Sequence, residues 1–217
     1  MEDCNHYTEM QEYTKEDYLN DLKNPEMLHI KDKERFKAFY TFLGNDPIQK
    51  RQQVVSSRIN FILPKGSIIE LGCHAGFQCV FWGQQGFNCV GVDISQPLID
   101  EANLRVNTAK GIKGEVKFIC SDILDLDINK LGKFDTIVLT ETLEHVMDPD
   151  TIFEKAVEFM KNDSVLYIAA PSTRVGTYSH VRGITEEYIK KMADRFNLLV
   201  KFSSTKSDTR AILKINK

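Results

Sequence analysis

IIELGCHAGF, residues 68–77, is the stretch that decides the fold of this chain. Apolar residues lead into an acidic residue, then into a glycine-rich turn, and then into a segment that reads as a helix. The pattern predicts a buried parallel strand followed by a tight loop. Gly72 permits a backbone geometry and a close ligand approach that a side chain would obstruct, and Gly76 lies where the helix would pack onto the sheet. Because amide groups at a helix start favour an anionic group, the loop suits a nucleotide-like cofactor at the carboxyl end of the strand.

Acidic residues also accompany the ends of the next predicted strands. These strands are predicted at residues 88–93, 116–120 and 134–139. Four acidic residues lie at or near the carboxyl ends of the first four strands: Glu70, Asp93, Asp122 and Glu141. Asp93 follows the glycine loop by about 20 residues, as recognition of a ribose requires. A nicotinamide fingerprint would have a glycine where this chain has His74, so a nicotinamide oxidoreductase is the less favoured class.

With these motifs, residues 65–217 resemble the class I S-adenosylmethionine-dependent methyltransferases. The resemblance implies that the backbone from Gly72 to Gly76 lies against the methionine part of the cofactor and that Asp93 holds the ribose hydroxyls. It also implies that Asp122 and Ile123 flank the adenine. His74 departs from the family, which often has glycine at that position. The implied cofactor-binding residues are Glu70, which would orient the loop, and Gly72, Cys73, His74, Gly76, Asp93, Ile94, Asp122, Ile123 and Thr140.

The resemblance and the regular alternation of strands and helices together predict an α/β fold. We expect a Rossmann-like, seven-stranded and mostly parallel sheet with a C-terminal antiparallel hairpin and an N-terminal helical extension. Helices are predicted at residues 77–85, 95–109 and 148–161, with another beginning at Thr185, whose following glutamates form a capping signature. The last three strands are predicted at residues 164–170, 198–203 and 210–215.

The N-terminal part differs from the rest and defines the predicted domain boundary. Residues 1–63 form the helical extension and residues 64–217 the methyltransferase domain. The extension is polar and rich in tyrosine, and residues 48–62 have the pattern of an amphipathic helix. Two roles remain open: the extension lies over the cofactor and shapes the substrate pocket, or its helices cover the edge of the sheet. Tyr13 and Tyr18 are its candidate substrate contacts.

A second candidate site follows the fourth strand, in the run ETLEHV, residues 141–146. If Glu141 starts a helical turn, Glu144 and His145 share its face. Two carboxylates and an imidazole suit a divalent metal such as magnesium, manganese, iron or zinc, and they equally offer a general base. The run resembles the ubiquinone-biosynthesis O-methyltransferases and, more weakly, the small-RNA 3′-end 2′-O-methyltransferases, in which a Glu-x-x-Glu-His run is associated with a metal.

The RNA group adds a further histidine after the fifth strand, and His180 lies at a similar place here. The candidate metal ligands are therefore Glu141, Glu144, His145 and His180, and the candidate catalytic residues are His145, His180 and Glu141. The alternative is structural: Glu144 and His145 tie down the loop and cap the next helix, since a lone histidine is more often a hydrogen-bonded structural group.

Composition narrows the classes of partner. The chain has 217 residues, 42% of them hydrophobic, and a formal net charge of −3, which gives no overall attraction to nucleic acid. Five cysteines are scattered without the tight spacing of a zinc or redox motif, and Cys79 and Cys89 fall in predicted core elements. We expect a cytoplasmic protein with no signal peptide and no membrane span.

The favoured function is transfer of a methyl group from S-adenosylmethionine to a hydroxyl or amine of a small polar metabolite. The alternatives are a divalent-metal-dependent RNA 2′-O-methyltransferase, which the charge disfavours, and a non-catalytic binding module that keeps the cofactor fold. Tyr178 and Arg182, with the two N-terminal tyrosines, could shape a pocket for a phosphate- or carboxylate-bearing substrate. Sequence alone leaves the oligomeric state undetermined.

Overall fold

The computed structural model describes Ile62, residues 64–173 and residues 180–217. Its strands are β1 (Ile68–Leu71), β2 (Cys89–Asp93), β3 (Val116–Cys120), β4 (Phe134–Thr140), β5 (Met160–Pro171), β6 (Leu198–Phe202) and β7 (Asp208–Ile215). Its α-helices are α1 (Phe77–Gln84), α2 (Gln96–Thr108), α3 (Ile128–Leu131), α4 (Pro149–Glu158) and α5 (Glu186–Arg195). Two short 3₁₀ turns cover Ile123–Asp125 and Leu143–His145.

The strands form one seven-stranded sheet in the order β3-β2-β1-β4-β5-β7-β6. The five strands β1 to β5 run parallel, whereas β7 is antiparallel to both of its neighbours. The predicted seven-stranded sheet with a late antiparallel hairpin is therefore confirmed. The strand order reverses between β1 and β4, so a crevice opens there at the carboxyl ends of the parallel strands, where ligands of such sheets bind.

The predicted junction between the helix after β4 and the fifth strand is wrong. The helix expected to reach about residue 161 ends at Glu158, and β5 begins at Met160 rather than Ser164. Phe134 pairs with Met160 across the sheet, and the register then shifts before Thr136 pairs with Val165. Because Met160 is 1% exposed, its pairing with β4 buries an apolar side chain that a longer helix would have placed elsewhere.

Polar caps determine where the two helices beside the site begin. The Asp148 carboxylate accepts hydrogen bonds from the backbone N–H groups of Asp150 and Thr151, and proline occupies the start of α4. At α5 the Thr185 hydroxyl accepts from the backbone N–H of Tyr188. The predicted cap at Thr185 is thus confirmed, and both helices start at the crevice edge of the sheet.

Apolar side chains cover both faces of the sheet. One cluster packs α4 and α5 against the sheet, and the other packs α1 and α2 against its opposite face. Cys79 and Cys89 lie in the second cluster as free, fully buried thiols, which confirms their predicted role as small core residues. Within the part of the chain that the structure describes, no helix is both long and apolar enough to cross a membrane. The predicted extension, with Tyr13 and Tyr18, lies outside the described residues apart from Ile62.

Candidate functional site

The loop after β1 approaches the loop after β4 closely. Gly72 has a φ of 85°, which glycine adopts without the steric penalty of a side chain. A Cβ atom at this position would collide with the Thr142 side chain, whose hydroxyl donates a 2.9 Å hydrogen bond to the Leu71 carbonyl. The two loops are therefore tied together across the crevice, whereas the close approach of a ligand at Gly72 stays a prediction.

Asp93, at the end of β2, holds the glycine loop by both oxygens of its carboxylate. One oxygen accepts from the backbone N–H of His74 at 2.8 Å, and the other accepts from the backbone N–H of Ser95 at 3.0 Å. Each carboxylate oxygen has about two acceptor sites, so both can still accept a hydroxyl. Asp93 is thus placed where a ribose could be held, although this role stays a prediction.

Two residues at the crevice have a strained backbone. Among the described residues other than glycine, positive φ values occur at His74 (50°), Glu141 (53°) and Asn197 (52°). Asparagine tolerates this conformation in turns, whereas the left-handed region costs other residues about 1–2 kcal/mol. His74 follows β1 and Glu141 follows β4, so both strained residues flank the crevice, and such strain clusters at functional sites.

Glu70, in β1, is buried and bonded to side chains of α1. The carboxyl is 2% exposed and accepts hydrogen bonds from the Gln78 side-chain amide and, at 3.0 Å, from the Cys79 thiol. Gln78 also donates to the Thr140 hydroxyl at 2.8 Å, which joins β1, α1 and β4. Burial raises the pKa of Glu70 from 4.5 to about 8, with the nearby Asp93 charge adding to the shift. Glu70 therefore ties β1 to α1, and its predicted role in orienting the loop stays a prediction.

The raised pKa of Glu70 predicts a pH-dependent stability. Between pH 4.5 and about 8 the folded state holds its proton and the unfolded state has lost it, so the free energy of unfolding falls as pH rises. The slope from this group is at most about 1.4 kcal/mol per pH unit. We expect the melting temperature of the wild type to fall more than that of Glu70→Gln between about pH 5 and about pH 8.

Thermal unfolding followed by circular dichroism measures this difference. The matched control is Glu154→Gln, because Glu154 is an exposed carboxylate on α4. Equal pH slopes for the wild type and Glu70→Gln would show that Glu70 titrates normally in the folded protein.

The predicted adenine contacts lie at the ends of β2 and β3. Asp122 caps the 3₁₀ turn by accepting from the backbone N–H of Leu124, and Ile123 is 9% exposed. Ile94 and Leu124 are each 47% exposed, which is unusual for large apolar side chains in this structure. Exposed apolar side chains at these strand ends suit the face of a base, and the adenine contact stays a prediction. Leu124 is a residue that the sequence analysis missed, since an exposed leucine has no pattern of its own.

The other predicted cofactor residues have structural partners. Cys73 is 4% exposed, and its thiol donates to the His74 carbonyl at 3.5 Å. Thr140 is 5% exposed and accepts from Gln78. The sequence did not predict that Gln78 and Thr142 contribute to the site, because each forms a hydrogen bond with a residue far away in the sequence.

Three side chains converge beyond the carboxyl end of β4. One carboxylate oxygen of Glu144 and one nitrogen of each imidazole, His145 and His180, all lie within 4.8 Å of one another. The two imidazole rings meet edge to face with centroids 4.6 Å apart, and Glu144 Oε1 lies 3.8 Å from His145 Nε2. The Val181 N–H donates to the Glu144 carbonyl at 2.8 Å, which holds the two segments together.

This cluster combines three of the four predicted metal ligands. Glu144 and His180 are buried and His145 is partly exposed, so the group opens to solvent at one side. A carboxylate and two imidazoles at this spacing fit the donor set of a first-row divalent cation. Glu141 is not a member of the group. Its left-handed backbone precedes the 3₁₀ turn at Leu143–His145, so the predicted helical turn starting at Glu141 is wrong.

Arg182 is the described member of the predicted substrate pocket. Its guanidinium donates to the Met147 carbonyl at 2.7 Å, which ties the segment after β5 to the loop after β4. Arg182 also lies near Tyr188, which is on α5, and burial raises the pKa of the Tyr188 hydroxyl. The predicted contact between Arg182 and a substrate stays a prediction. Tyr178 lies outside the described residues.

Comparison with known proteins shows which proteins this chain resembles. The family model described as "Methyltransferase domain" matches residues 69–168 of this chain. The ubiquinone biosynthesis O-methyltransferase of Xanthomonas euvesicatoria pv. vesicatoria (strain 85-10) is 24% identical over 142 residues, covering 65% of this chain and 57% of that protein. The enzyme of the same name from Coxiella burnetii (strain Dugway 5J108-111) is 28% identical over 134 residues, covering 62% and 53%. The chain spans about half the length of these curated relatives.

Solved structures agree with this fold. Magnesium protoporphyrin IX methyltransferase from Synechocystis PCC 6803, with bound SAH, aligns with a TM-score of 0.61 and 18% identity over 78% of this chain and 83% of that one. The N-methyltransferase NodS from Bradyrhizobium japonicum WM9, in complex with S-adenosyl-L-homocysteine, aligns with a TM-score of 0.61 and 17% identity over 81% and 91%.

These matches confirm the predicted resemblance to the class I S-adenosylmethionine-dependent methyltransferases. The matched residues 69–168 contain the glycine loop, Asp93 and the run after β4.

Proposed function

We propose that this chain binds S-adenosylmethionine and transfers its methyl group to a hydroxyl of a small molecule. The observation that carries the proposal is the Asp93 carboxylate, which joins the glycine loop after β1 to the end of the neighbouring strand β2. Several structural neighbours were solved with S-adenosylmethionine or its demethylated product bound, which supports the same choice of cofactor for this fold.

Each part of the cofactor would meet a different element. The loop from Gly72 to Gly76 would lie along the methionine part, and Asp93 would accept hydrogen bonds from the ribose hydroxyls. Ile94, Ile123 and Leu124 would provide the apolar surface for the adenine, with Asp122 beside them.

The chemistry demands little from the protein beyond position and removal of a proton. S-adenosylmethionine supplies, when bound, an activated methyl group on a sulfonium. Holding the acceptor in line with that methyl group lowers the barrier by several kcal/mol. As the new oxygen–carbon bond forms and the sulfur–carbon bond breaks, the acceptor hydroxyl loses its proton to an imidazole. We assign that role to His180 or His145, and the Glu144 carboxylate beside them, which would stabilise the protonated ring, supports the assignment.

The histidine pair favours a hydroxyl acceptor over an amine. A neutral amine attacks with its own lone pair, whereas a hydroxyl is a poor nucleophile until a base takes its proton. The names of the curated relatives, which are O-methyltransferases, support the same choice. Tyr13, Tyr18, Tyr178 and Arg182 remain proposed contacts to a polar, phosphate- or carboxylate-bearing part of the substrate.

A divalent cation on the same cluster is the second candidate, favoured by the three converging ligand atoms. Glu144, His145 and His180 would hold it. A cation there would lower the pKa of the acceptor hydroxyl in place of a base. Removal of divalent ions with a chelator separates the two mechanisms, because only the metal mechanism loses activity.

An experiment with labelled cofactor tests the proposal and identifies the class of substrate at the same time. The protein is incubated with methyl-labelled S-adenosylmethionine and either the low-molecular-weight fraction or the RNA fraction of a cell extract. We expect label in the small-molecule fraction, with the labelled product carrying an O-methyl group. Label in RNA would favour the RNA alternative, which the relatives named above do not support, and an N-methyl product would contradict the hydroxyl acceptor.

A further inference from the structure

Arg105, in the last turn of α2, contacts the glycine loop in two ways. Its Nε donates a 3.0 Å hydrogen bond to the Ala75 carbonyl, and its guanidinium lies 3.5 Å from the ring centroid of Phe77, the first residue of α1. One of its terminal nitrogens also lies 2.7 Å from the carboxylate of Glu101, one turn earlier on α2. This ion pair orients the guanidinium. No sequence pattern singled out this residue.

We propose that Arg105 is a positioning residue for the cofactor loop, because it holds the peptide group between Ala75 and Gly76 in a single orientation. This proposal rests on the proposed binding of S-adenosylmethionine.

The peptide needs such a restraint because of Gly76. A Cβ atom at this position would collide with the Phe118 ring, so close packing of α1 onto the sheet requires glycine here. Glycine, however, populates positive and negative φ about equally, so the peptide before it can rotate. Gly76 has a φ of 72° in the structure. The residue that allows the helix to pack therefore also leaves the loop free to change shape.

Both ends of this peptide are held. The Gly76 N–H donates to the Cys73 carbonyl at 3.0 Å, and the carbonyl on the opposite side, that of Ala75, accepts from Arg105. Ala75 is 1% exposed, so its carbonyl cannot easily exchange the arginine for water. Loss of the guanidinium would leave a buried acceptor without its charged donor, and rotation of the peptide would relieve that cost.

The orientation of this peptide matters for the ligand because the neighbouring residue is His74. The backbone N–H of His74 donates to Asp93, the residue proposed to hold the ribose. Rotation of the Ala75–Gly76 peptide would displace the backbone on which this hydrogen bond depends. Arg105 thus acts on cofactor affinity through the loop, without itself being required to touch the cofactor.

Calorimetric titration of S-adenosylmethionine into Arg105→Met and Arg195→Met tests the proposal. Arg195 is the matched control, since it also forms ion pairs with acidic side chains and lies 5.0 Å from the centroid of an aromatic ring, on α5. We expect the dissociation constant to rise about tenfold in Arg105→Met and to stay within about twofold of the wild type in Arg195→Met.

A lysine variant separates positioning from simple stabilisation. Arg105→Lys keeps a positive charge that can reach Glu101, but it lacks the planar guanidinium that bonds Ala75 while lying over Phe77. We expect Arg105→Lys to regain the wild-type melting temperature and to keep the weakened affinity, whereas a purely structural role would restore both. Unchanged affinity in Arg105→Met, with the wild type binding, would overturn the proposal alone. Absence of binding in the wild type would overturn the proposed function, and this inference with it.

Discussion

Asp93→Asn is expected to weaken binding of S-adenosylmethionine by about 100-fold, because a charged acceptor of hydrogen bonds is lost at the ribose. Both carboxylate oxygens already accept backbone N–H groups, from His74 and Ser95. An asparagine amide has only one acceptor oxygen, so its NH₂ group would face one of these donors. The substitution therefore removes the charge and also disturbs the loop that the charge holds. Calorimetric titration of the variant measures the loss.

Asp127→Asn is the matched control for this change. Asp127 also accepts a hydrogen bond from the backbone N–H two residues later, that of Asn129, at 2.9 Å, but it lies before α3 and away from the crevice. We expect the control to bind the cofactor like the wild type. An affinity of Asp93→Asn within about threefold of the wild type would mean that Asp93 does not hold the ribose.

His180→Asn is expected to slow methyl transfer by about 10²- to 10³-fold while leaving the affinity for S-adenosylmethionine unchanged. His180 is 6% exposed and meets His145 edge to face in the cluster, so its loss removes a base or a ligand rather than a cofactor contact. Asparagine keeps a polar side chain at this buried position, which limits the effect on folding. Rates are measured on the acceptor that the extract experiment identifies, together with the dissociation constant of the cofactor.

The control is Ser172→Ala, on the same segment between β5 and α5. The Ser172 hydroxyl donates to the Ser207 carbonyl at 3.0 Å and takes no part in the cluster. We expect near-normal rates in this variant. If His180→Asn retained the wild-type rate, the cluster would be structural, as the alternative interpretation of these residues holds. A loss of rate in the wild type on chelation would identify the metal mechanism.

The positions of the strands along the chain and of the glycine loop were predictable because their signals are local. Strand, turn and helix patterns follow one another within residues 68–77, and Asp93 ends a strand of its own. Once strands are parallel, the carboxyl ends that carry these residues must share one edge of the sheet. The meeting of Glu144, His145 and His180 at that edge follows from the same topology.

Other features depend on contacts between distant parts of the chain, which local patterns do not report. The hydrogen bond from Thr142 to the Leu71 carbonyl joins residues 71 positions apart, and the bond from Gln78 to Thr140 spans 62. The end of α4 was mispredicted for a related reason, because pairing of Met160 with Phe134 overrides the helical pattern. The left-handed backbone of Glu141 is equally non-local, since its N–H donates to the Ala169 carbonyl on β5.

Calorimetric titration of S-adenosylmethionine and S-adenosylhomocysteine into the wild-type protein tests the central claim most directly. The crevice between the glycine loop and the loop after β4 predicts saturable binding of both compounds at one site, with dissociation constants on the order of 10 µM. Absence of binding by either compound would contradict the account, because the glycine loop and Asp93 would then serve only the fold.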